Sequence, residues 1–308
     1  MALLLTPVFG GPDVWRREFA AVMPDLDVRC WPDVGDPADI EAIAIIALPP
    51  GELAKFPNLR LILSLTAGTD ALLSDPDLPD VPIVRAGDPA GDVMMNETAL
   101  LHVLRHHRNM PEYLRQQASR TWKKLPLKRA QDRTVGVMGL GAIGLACADT
   151  IASIGFKVAG WVRSPRTIET IEAFAGRERL PAFLARSEIL LNLLPLTPET
   201  RGIINAETLA HLPADASVIN LGRGEHVVEA DLMAALDSGH LAGATLDVFP
   251  KEPLPSDSPL WAHPKITVMP HVARRLDPSD LAPRIAAILR DFRAGKPLSQ
   301  AVDRRRGY

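Results

Sequence analysis

Short apolar runs bounded by Gly, Pro and Asp alternate with segments whose apolar residues recur at helical spacing along most of this chain. In the N-terminal third, Leu3–Val8 reads as a strand, Trp15–Val22 as a helix, and Ile43–Leu48 as a buried strand closed by Pro49-Pro50. Leu59–Leu65 reads as a further strand. It runs into Thr66-Ala67-Gly68-Thr69-Asp70, a loop that opens a helix, and Val81–Val84 is a short strand after it. Met94–Arg120 reads as one long helix, broken or bent near Pro111, with Leu100, Leu101, Val103, Leu104 and Leu114 among its apolar positions. His102, His106 and His107 on it are expected on a solvated or subunit-facing surface, because no further ligand cluster accompanies them. From Trp122 to Arg133 the chain is basic and broken by prolines, as a connection would be.

Beyond it the alternation continues. Strands are expected at Val135–Met138, Lys157–Val162, Ile189–Leu194, Ser217–Leu221, Gly243–Val248 and Ile266–Met269. Helices are expected over Ala146–Ile154, Ile171–Ala175, from Ala182–Ala185 onward, and over Ala206–His211, Glu229–Ser238 and Asp280–Ala294. The pattern predicts α/β architecture with parallel sheets covered by helices on both faces. Ligands of such sheets bind beyond the carboxyl ends of the strands, which makes the Thr66–Thr69 loop a candidate site beside its alternative as a plain strand-to-helix turn.

One stretch carries more specific chemistry. Thr134–Gly144 reads T-V-G-V-M-G-L-G-A-I-G, so a strand runs into Gly139, Gly141 and Gly144 in the order G-x-G-x-x-G, and a helix and second strand follow. That context turns a weak pattern into a dinucleotide-binding expectation. Gly139 permits the turn, Gly141 lets backbone approach a pyrophosphate, and Gly144 lets helix pack on strand, while the helix N-terminus offers N–H groups to the phosphates. The second strand ends W-V-R-S-P-R, without the carboxylate that would hold the ribose hydroxyls of NAD. Arg163, Ser164 and Arg166 offer donors to a 2′-phosphate instead, so NADP(H) is expected over NAD(H), which stays open as a second cofactor. The bland alternative is a pair of solvated arginines.

Bulk properties narrow the field. At 308 residues the chain is long enough for two domains, and its 47% apolar and 23% charged content is ordinary for a globular protein. A net charge of −3 supplies no basic field for nucleic acid, and no apolar run is long enough to span a membrane. Cys30 and Cys147 are too few for a disulfide framework and show no metal spacing, so each is expected in the core and no metal is expected. The start, Met1–Val8, has no basic region before its apolar run and reads as a strand rather than a signal peptide, which points to the cytoplasm.

Three charged residues fall at or near the ends of the late strands: Arg223, Glu252 and His271. Each alone is ambiguous. Together they fit reduction of a 2-oxo acid, which needs a cation for the carboxylate, a proton donor for the carbonyl oxygen, and a hydride. Arg223 supplies a permanently charged fork, His271 can supply the proton, and Glu252 would orient the imidazole and favour its charged form.

With these motifs the chain resembles the D-isomer-specific 2-hydroxyacid dehydrogenase family over nearly its whole length. The carrying motifs are G-L-G-A-I-G at 139–144, L-P-L-T-P-E-T at 194–200, N-L-G-R-G at 220–224, D-V-F-P-K-E-P-L-P at 247–255 and P-H-V-A at 270–273. The W-V-R-S strand, E-H-V-V-E at 225–229 and the ending V-D-R-R-R-G-Y at 302–308 point to bacterial glyoxylate/hydroxypyruvate reductases of the A type. The resemblance implies Arg223 on the substrate carboxylate and carbonyl, Glu252 as partner of the histidine, and His271 as acid/base. It places Ala142 and Ile143 over the pyrophosphate, further cofactor contacts at Leu194, Pro195, Thr200, Leu221 and Gly222, and Asp247 on the nicotinamide carboxamide. Backbone N–H groups at Ala67 and Gly68 are implied for the substrate carboxylate. It further implies two Rossmann-like or flavodoxin-like domains. A substrate domain is built from residues 1–95 and 273–308, and a dinucleotide-binding domain, 96–272, is inserted between them and carries the helix that builds a homodimer.

Three positions depart from the A-type pattern. Ala47 stands where a Trp is typical, Thr66 lies in a loop that is usually richer in glycine, and Arg274-Arg275 follow P-H-V-A where small apolar residues are common. They leave the reaction type in place and open the substrate question toward a larger 2-oxo acid or one with a second anionic group. A dinucleotide-sensing partner protein on the same fold, as in the C-terminal binding protein corepressors, is the second class of function.

Overall fold

The computed structural model describes residues 2–6, 10–87, 93–169 and 171–304. The chain forms two compact units, Met1–Pro89 with Arg275–Tyr308, and Ala90–Arg274.

In the first unit, β1 (Ala2–Leu5), β2 (Asp27–Cys30), β3 (Ile40–Ile45), β4 (Leu61–Ser64) and β5 (Ile83–Arg85) form a parallel sheet in the order β2-β1-β3-β4-β5. This is the flavodoxin-like order. The inner strands β1, β3 and β4 are largely apolar and buried because both faces are covered, whereas β2, at the sheet edge, carries Asp27 and Arg29. Along β1 the side chains alternate: Leu3 and Leu5 join one core with Trp15, Phe19, Ile285 and Leu289, while Ala2 and Leu4 join another with Leu53 and Phe56. Trp15 and Phe19 come from α1 (Pro12–Val22), and the unit also holds α2 (Asp70–Leu73). Ile285 and Leu289 come from the C-terminal helix Pro278–Arg293, which packs against α1 although the whole second unit intervenes in sequence. Val8, expected in the first strand, and Arg305–Tyr308 of the terminal motif lie outside the described residues.

The second unit holds β6 (Thr134–Met138), β7 (Lys157–Val162), β8 (Glu172–Ala175), β9 (Ile189–Asn192), β10 (Ala216–Asn220), β11 (Leu241–Leu246) and β12 (Ile266–Val268). They form a parallel sheet ordered β12-β11-β10-β9-β6-β7-β8. The order reverses between β6 and β9, the Rossmann switch point, and the glycine turn follows β6. The described helices of this unit are α3 (Val93–His107), α4 (Met110–Ala118), α5 (Ala142–Ser153), α6 (Leu180–Leu184), α7 (Ala206–Ala210) and α8 (Glu229–Asp237).

Several expectations are corrected. The long helix is broken rather than bent: α3 and α4 are separated at Asn109, which has a left-handed φ of 56°. Asn tolerates that conformation, and Pro111 then sits in the first turn of α4, where its missing N–H costs nothing. Glu172–Ala175 is a strand paired with β7, not a helix; a short apolar run does not settle its own type by periodicity. α6 ends at Leu184, where the sequence suggested a helix beginning.

The three histidines of α3 are buried, not solvated. His102, His106 and His107 are 2%, 6% and 6% exposed, because α3 packs onto α5 and the sheet. His106 Nε2 lies 3.0 Å from Thr245 Oγ1, and His107 meets the ring of Phe156 edge-on at 4.8 Å. Burial, aided by Arg105, lowers the His102 pKa to about 4; burial, with His102 and Arg105 adding to it, lowers that of His106 to about 3. Neither ring nitrogen of His102 has a hydrogen-bond partner among the described residues. Among them, too, no group of three or more His, Cys, Asp or Glu could hold a metal, and no helix is long and apolar enough to cross a membrane.

A neutral buried imidazole has a signed consequence. Its folded pKa is depressed, so its contribution to stability is intact above the unfolded value of 6.5 and is lost as pH falls toward about 4. For His102 the loss by pH 4 is on the order of 3 kcal/mol. His102→Leu removes a group that cannot be protonated in place and leaves no polar atom unpaired. The drop in Tm between pH 7.5 and pH 5 is expected to be smaller in this variant than in the wild type; an equal drop would refute the assignment.

Candidate active site

The glycine turn lies at the end of β6. Gly139 has φ 92°, and a Cβ there would come 3.0 Å from the carbonyl oxygen of Leu193. A Cβ on Gly144 would lie 1.8 Å from the carbonyl oxygen of Gly139, so α5 can pack on the turn that launches it only with glycine at this position. Gly141 differs, because no atom lies within 4 Å of where its Cβ would be. It is the N-cap of the 12-residue α5, no side chain caps it, and Ala142 and Ile143 form the first turn. Open space over a helix N-terminus fits the pyrophosphate of a dinucleotide.

Beyond β7, Arg163 and Ser164 are exposed. Arg166 Nη1 donates to the carbonyl of Leu140 at 2.7 Å, which ties this arginine to the glycine turn. The loop after β9 is closed on itself: Thr200 Oγ1 donates to the Pro195 carbonyl at 2.7 Å and accepts from the Thr197 N–H at 2.8 Å, and the Leu194 N–H is held by Asn192 Oδ1. Leu221 is buried and Gly222 follows it at the end of β10.

The charged trio comes from the loops after three adjacent strands. Arg223 follows β10, Glu252 follows β11 and His271 follows β12. Gly224 explains how the first two loops approach: its Cβ would sit 2.0 Å from the carbonyl carbon of Phe249, so backbone rests on backbone there. Glu252 Oε1 accepts from the Phe249 N–H at 2.9 Å, and Oε2 lies 2.7 Å from His271 Nδ1. The ring therefore donates from Nδ1 to the carboxylate, while about half of the His271 side chain stays exposed. His271 has a left-handed φ of 54° and donates its N–H to the Asp247 carbonyl at 2.9 Å.

Asp247 follows β11 and reaches the same segment. Its side chain is 1% exposed and turned into the protein, where Oδ1 accepts from the Val272 N–H at 2.8 Å and Oδ2 from the Ala273 N–H at 2.9 Å. Burial pushes its pKa up and these two bonds oppose the shift. The carboxylate thus anchors the segment carrying His271.

In the first unit, the loop after β4 commits its carbonyls to its own neighbours. Ser64 Oγ donates to Thr66 O at 3.0 Å, Arg85 Nε to Ala67 O at 3.0 Å, and Thr66 Oγ1 to Gly68 O at 2.7 Å. Thr66 therefore shapes this loop. Arg85 received no role from the sequence; the one available signal was a cation inside an otherwise apolar strand, and burial lowers its pKa. Ala47 is exposed just past β3, Arg274 is half-buried and Arg275 is exposed.

Two parallel-sheet units, one with a glycine turn at its switch point and an Arg, a Glu and a His beyond its strand ends, are the architecture of a dinucleotide-dependent oxidoreductase of 2-hydroxy acids. The chain belongs to the D-isomer specific 2-hydroxyacid dehydrogenase family, whose NAD binding domain matches residues 100–273. It is 42% identical over 302 residues to glyoxylate/hydroxypyruvate reductase A of Klebsiella pneumoniae (strain 342), covering 96% of each chain. A D-isomer specific 2-hydroxyacid dehydrogenase from Xanthobacter autotrophicus Py2, crystallised with NADPH and MES, superposes with a TM-score of 0.95 at 46% identity, covering 100% of this chain and 99% of that one. An NADPH-dependent glyoxylate/hydroxypyruvate reductase from Sinorhizobium meliloti, in complex with NADP and sulfate, gives 0.92 at 36% identity, covering 100% of both chains.

The glycines separate folding from ligand binding. Gly144→Ala forces a Cβ into a carbonyl oxygen and is expected to cost about 1–3 kcal/mol in urea unfolding. Gly141→Ala meets no protein atom, so its unfolding midpoint should match the wild type while dinucleotide affinity, titrated by fluorescence, falls. If Gly141→Ala bound dinucleotide normally, the open space would not be a phosphate cradle.

Proposed function

We propose that this chain is an NADPH-dependent reductase of small 2-oxo acids of the glyoxylate and hydroxypyruvate type, forming D-2-hydroxy acids. The observation that carries the reading is the 2.7 Å contact between His271 Nδ1 and Glu252 Oε2, two strand ends from Arg223 in the same sheet. With Nδ1 engaged by the carboxylate, Nε2 is the atom from which His271 passes a proton to the carbonyl oxygen. The Arg223 guanidinium holds the carboxylate and polarises the carbonyl. In the first unit, the Ala67 and Gly68 N–H groups are proposed to bind a carboxylate. Gly139, Gly141, Ala142, Ile143 and Gly144 would hold the pyrophosphate, Leu194, Pro195, Thr200, Leu221 and Gly222 the remainder of the dinucleotide, and Arg163, Ser164 and Arg166 a 2′-phosphate. NADPH, when bound, supplies the hydride. A cytoplasmic setting is part of the proposal, supported by two buried, free cysteines.

The test is kcat/KM for a panel of 2-oxo acids with NADPH and NADH. His271→Ala should lose about 10²–10⁴-fold in reduction with NADPH affinity unchanged. Arg163→Ala should weaken NADPH about tenfold and leave NADH nearly untouched. Equal use of both cofactors by the wild type, or a fully active His271→Ala protein, would refute the reading. A best substrate larger than glyoxylate would assign the pocket to the longer acids that Ala47 makes room for.

We further propose a homodimer built on α3, α4 and the segment after them. Leu101, Met110, Leu114, Trp122 and Leu127 are 58%, 43%, 45%, 96% and 57% exposed, apolar side chains along one segment that a second copy would cover. Sedimentation equilibrium should give twice the chain mass, and Leu101→Glu with Leu114→Glu should give monomer. A wild-type monomer at micromolar concentration would overturn it.

A further inference from the structure

The second unit contains a buried polar knot to which the reading above gives no role. Asn192, at the end of β9, Asn220, at the end of β10, and His226 are each 0% exposed. Asn192 Nδ2 donates to Asn220 Oδ1 at 2.9 Å and lies 2.9 Å from His226 Nδ1. Asn220 Oδ1 also accepts from the Gly222 N–H at 3.2 Å, and Asn220 Nδ2 donates to the Arg223 carbonyl at 2.9 Å. The Arg223 N–H points at His226 Nδ1 at 3.1 Å, and His226 Nε2 lies 3.2 Å from the Pro195 carbonyl.

These partners fix the state of the ring. A backbone N–H only donates, so Nδ1 must present its lone pair to Arg223. A carbonyl oxygen only accepts, so Nε2 must carry the hydrogen. His226 is therefore the neutral Nε2–H tautomer, and an imidazolium would set an N–H against the Arg223 N–H. The space around the knot is equally determined: a Cβ on Gly222 would lie 3.0 Å from both Asn192 Nδ2 and His226 Nδ1. Outside the ring, the His226 carbonyl accepts from the Ile204 N–H at 2.9 Å and the Glu225 carbonyl from the Gly202 N–H at 2.8 Å, which ties the loop's far side to the rest of the unit.

We propose that His226 is a positioning residue. It holds both the peptide that carries Arg223 and the loop at Pro195, and so sets the carboxylate-binding guanidinium in register with the dinucleotide loop. This rests on the reductase reading for the roles of Arg223 and Pro195; the clamp itself rests on geometry alone. Arg223 has a long, flexible side chain, and the precision of its fork comes from the backbone beneath it. Asn220 fixes the carbonyl of that residue and His226 fixes its N–H, so both peptide units that flank the Arg223 Cα are held.

Three variants test it. His226→Phe keeps the ring shape and removes all three ring contacts, to Asn192, Arg223 and Pro195. His226→Gln can keep a donor toward Pro195 but loses the acceptor at the Nδ1 position. His226→Asn places Oδ1 near the Nδ1 position and keeps the acceptor for Arg223. The KM for the 2-oxo acid is expected to rise by about tenfold or more in the Phe and Gln variants, with most of the loss recovered in Asn. NADPH affinity of the Gln variant should stay within about twofold of the wild type, since the Pro195 contact is retained. Hydrogen exchange over residues 221–227 gives a readout independent of turnover: exchange should be faster in Phe and Gln and close to wild type in Asn. A wild type that reduces no 2-oxo acid, combined with faster exchange in Phe, would sink the reductase reading and leave the clamp standing. An active wild type with unchanged KM and unchanged exchange in Phe, or an Asn variant as impaired as Phe, would overturn the proposal.

Discussion

Parallel pairing in the seven-stranded sheet is the constraint on which the rest of the second unit depends. In one register row, Gly160, Val137, Leu191, Ile219, Thr245 and Thr267 lie side by side across six strands. A few residues beyond that row the strands release Arg163, Gly139, Leu194, Arg223, Asp247 and His271. Residues more than a hundred positions apart thereby emerge at one edge without any contact having to search for them. Parallel strands also need covering on both faces, which explains why α3 and its histidines are drawn into the interior.

At that edge the loops are brought together through backbone. Gly144 leaves room for the Gly139 carbonyl and Gly224 for the Phe249 peptide. Asp247 spends its carboxylate on two N–H groups of the segment after His271, and Glu252 spends one oxygen on the Phe249 N–H. The charged side chains at these strand ends thus stand on peptide units that other polar groups hold, so a left-handed His271 and a flexible Arg223 still have fixed origins.

Two buried imidazoles show the opposite uses of one side chain. His226 has acceptor and donor partners that select a tautomer, and the order this creates reaches Arg223. His102 has neither nitrogen paired among the described residues and packs as a hydrocarbon ring would, with a latent cost on acidification. Burial alone does not distinguish them; the geometry of the neighbouring peptides does.

What the sequence determined by itself was local or covalent in spacing. Alternating strand and helix periods marked a parallel α/β chain. Gly139, Gly141 and Gly144 marked the turn: only glycine suits the close backbone packing at Gly139 and Gly144, and Gly141 leaves open space at the helix N-terminus. Arg223, Glu252 and His271 were legible because each follows a strand end, where open sheets carry their chemistry. Three things were decided by tertiary structure. The run at Glu172–Ala175 became a strand because β7 offered it an edge. His102 and His106 became interior because α5 and the sheet cover α3, a contact that helical periodicity with scattered charges does not encode. Asp247 turned inward and His226 acquired its role because peptides distant in sequence supplied the N–H and carbonyl groups they meet. A side chain's identity states what it can bond, and only the folded backbone states which groups arrive to be bonded.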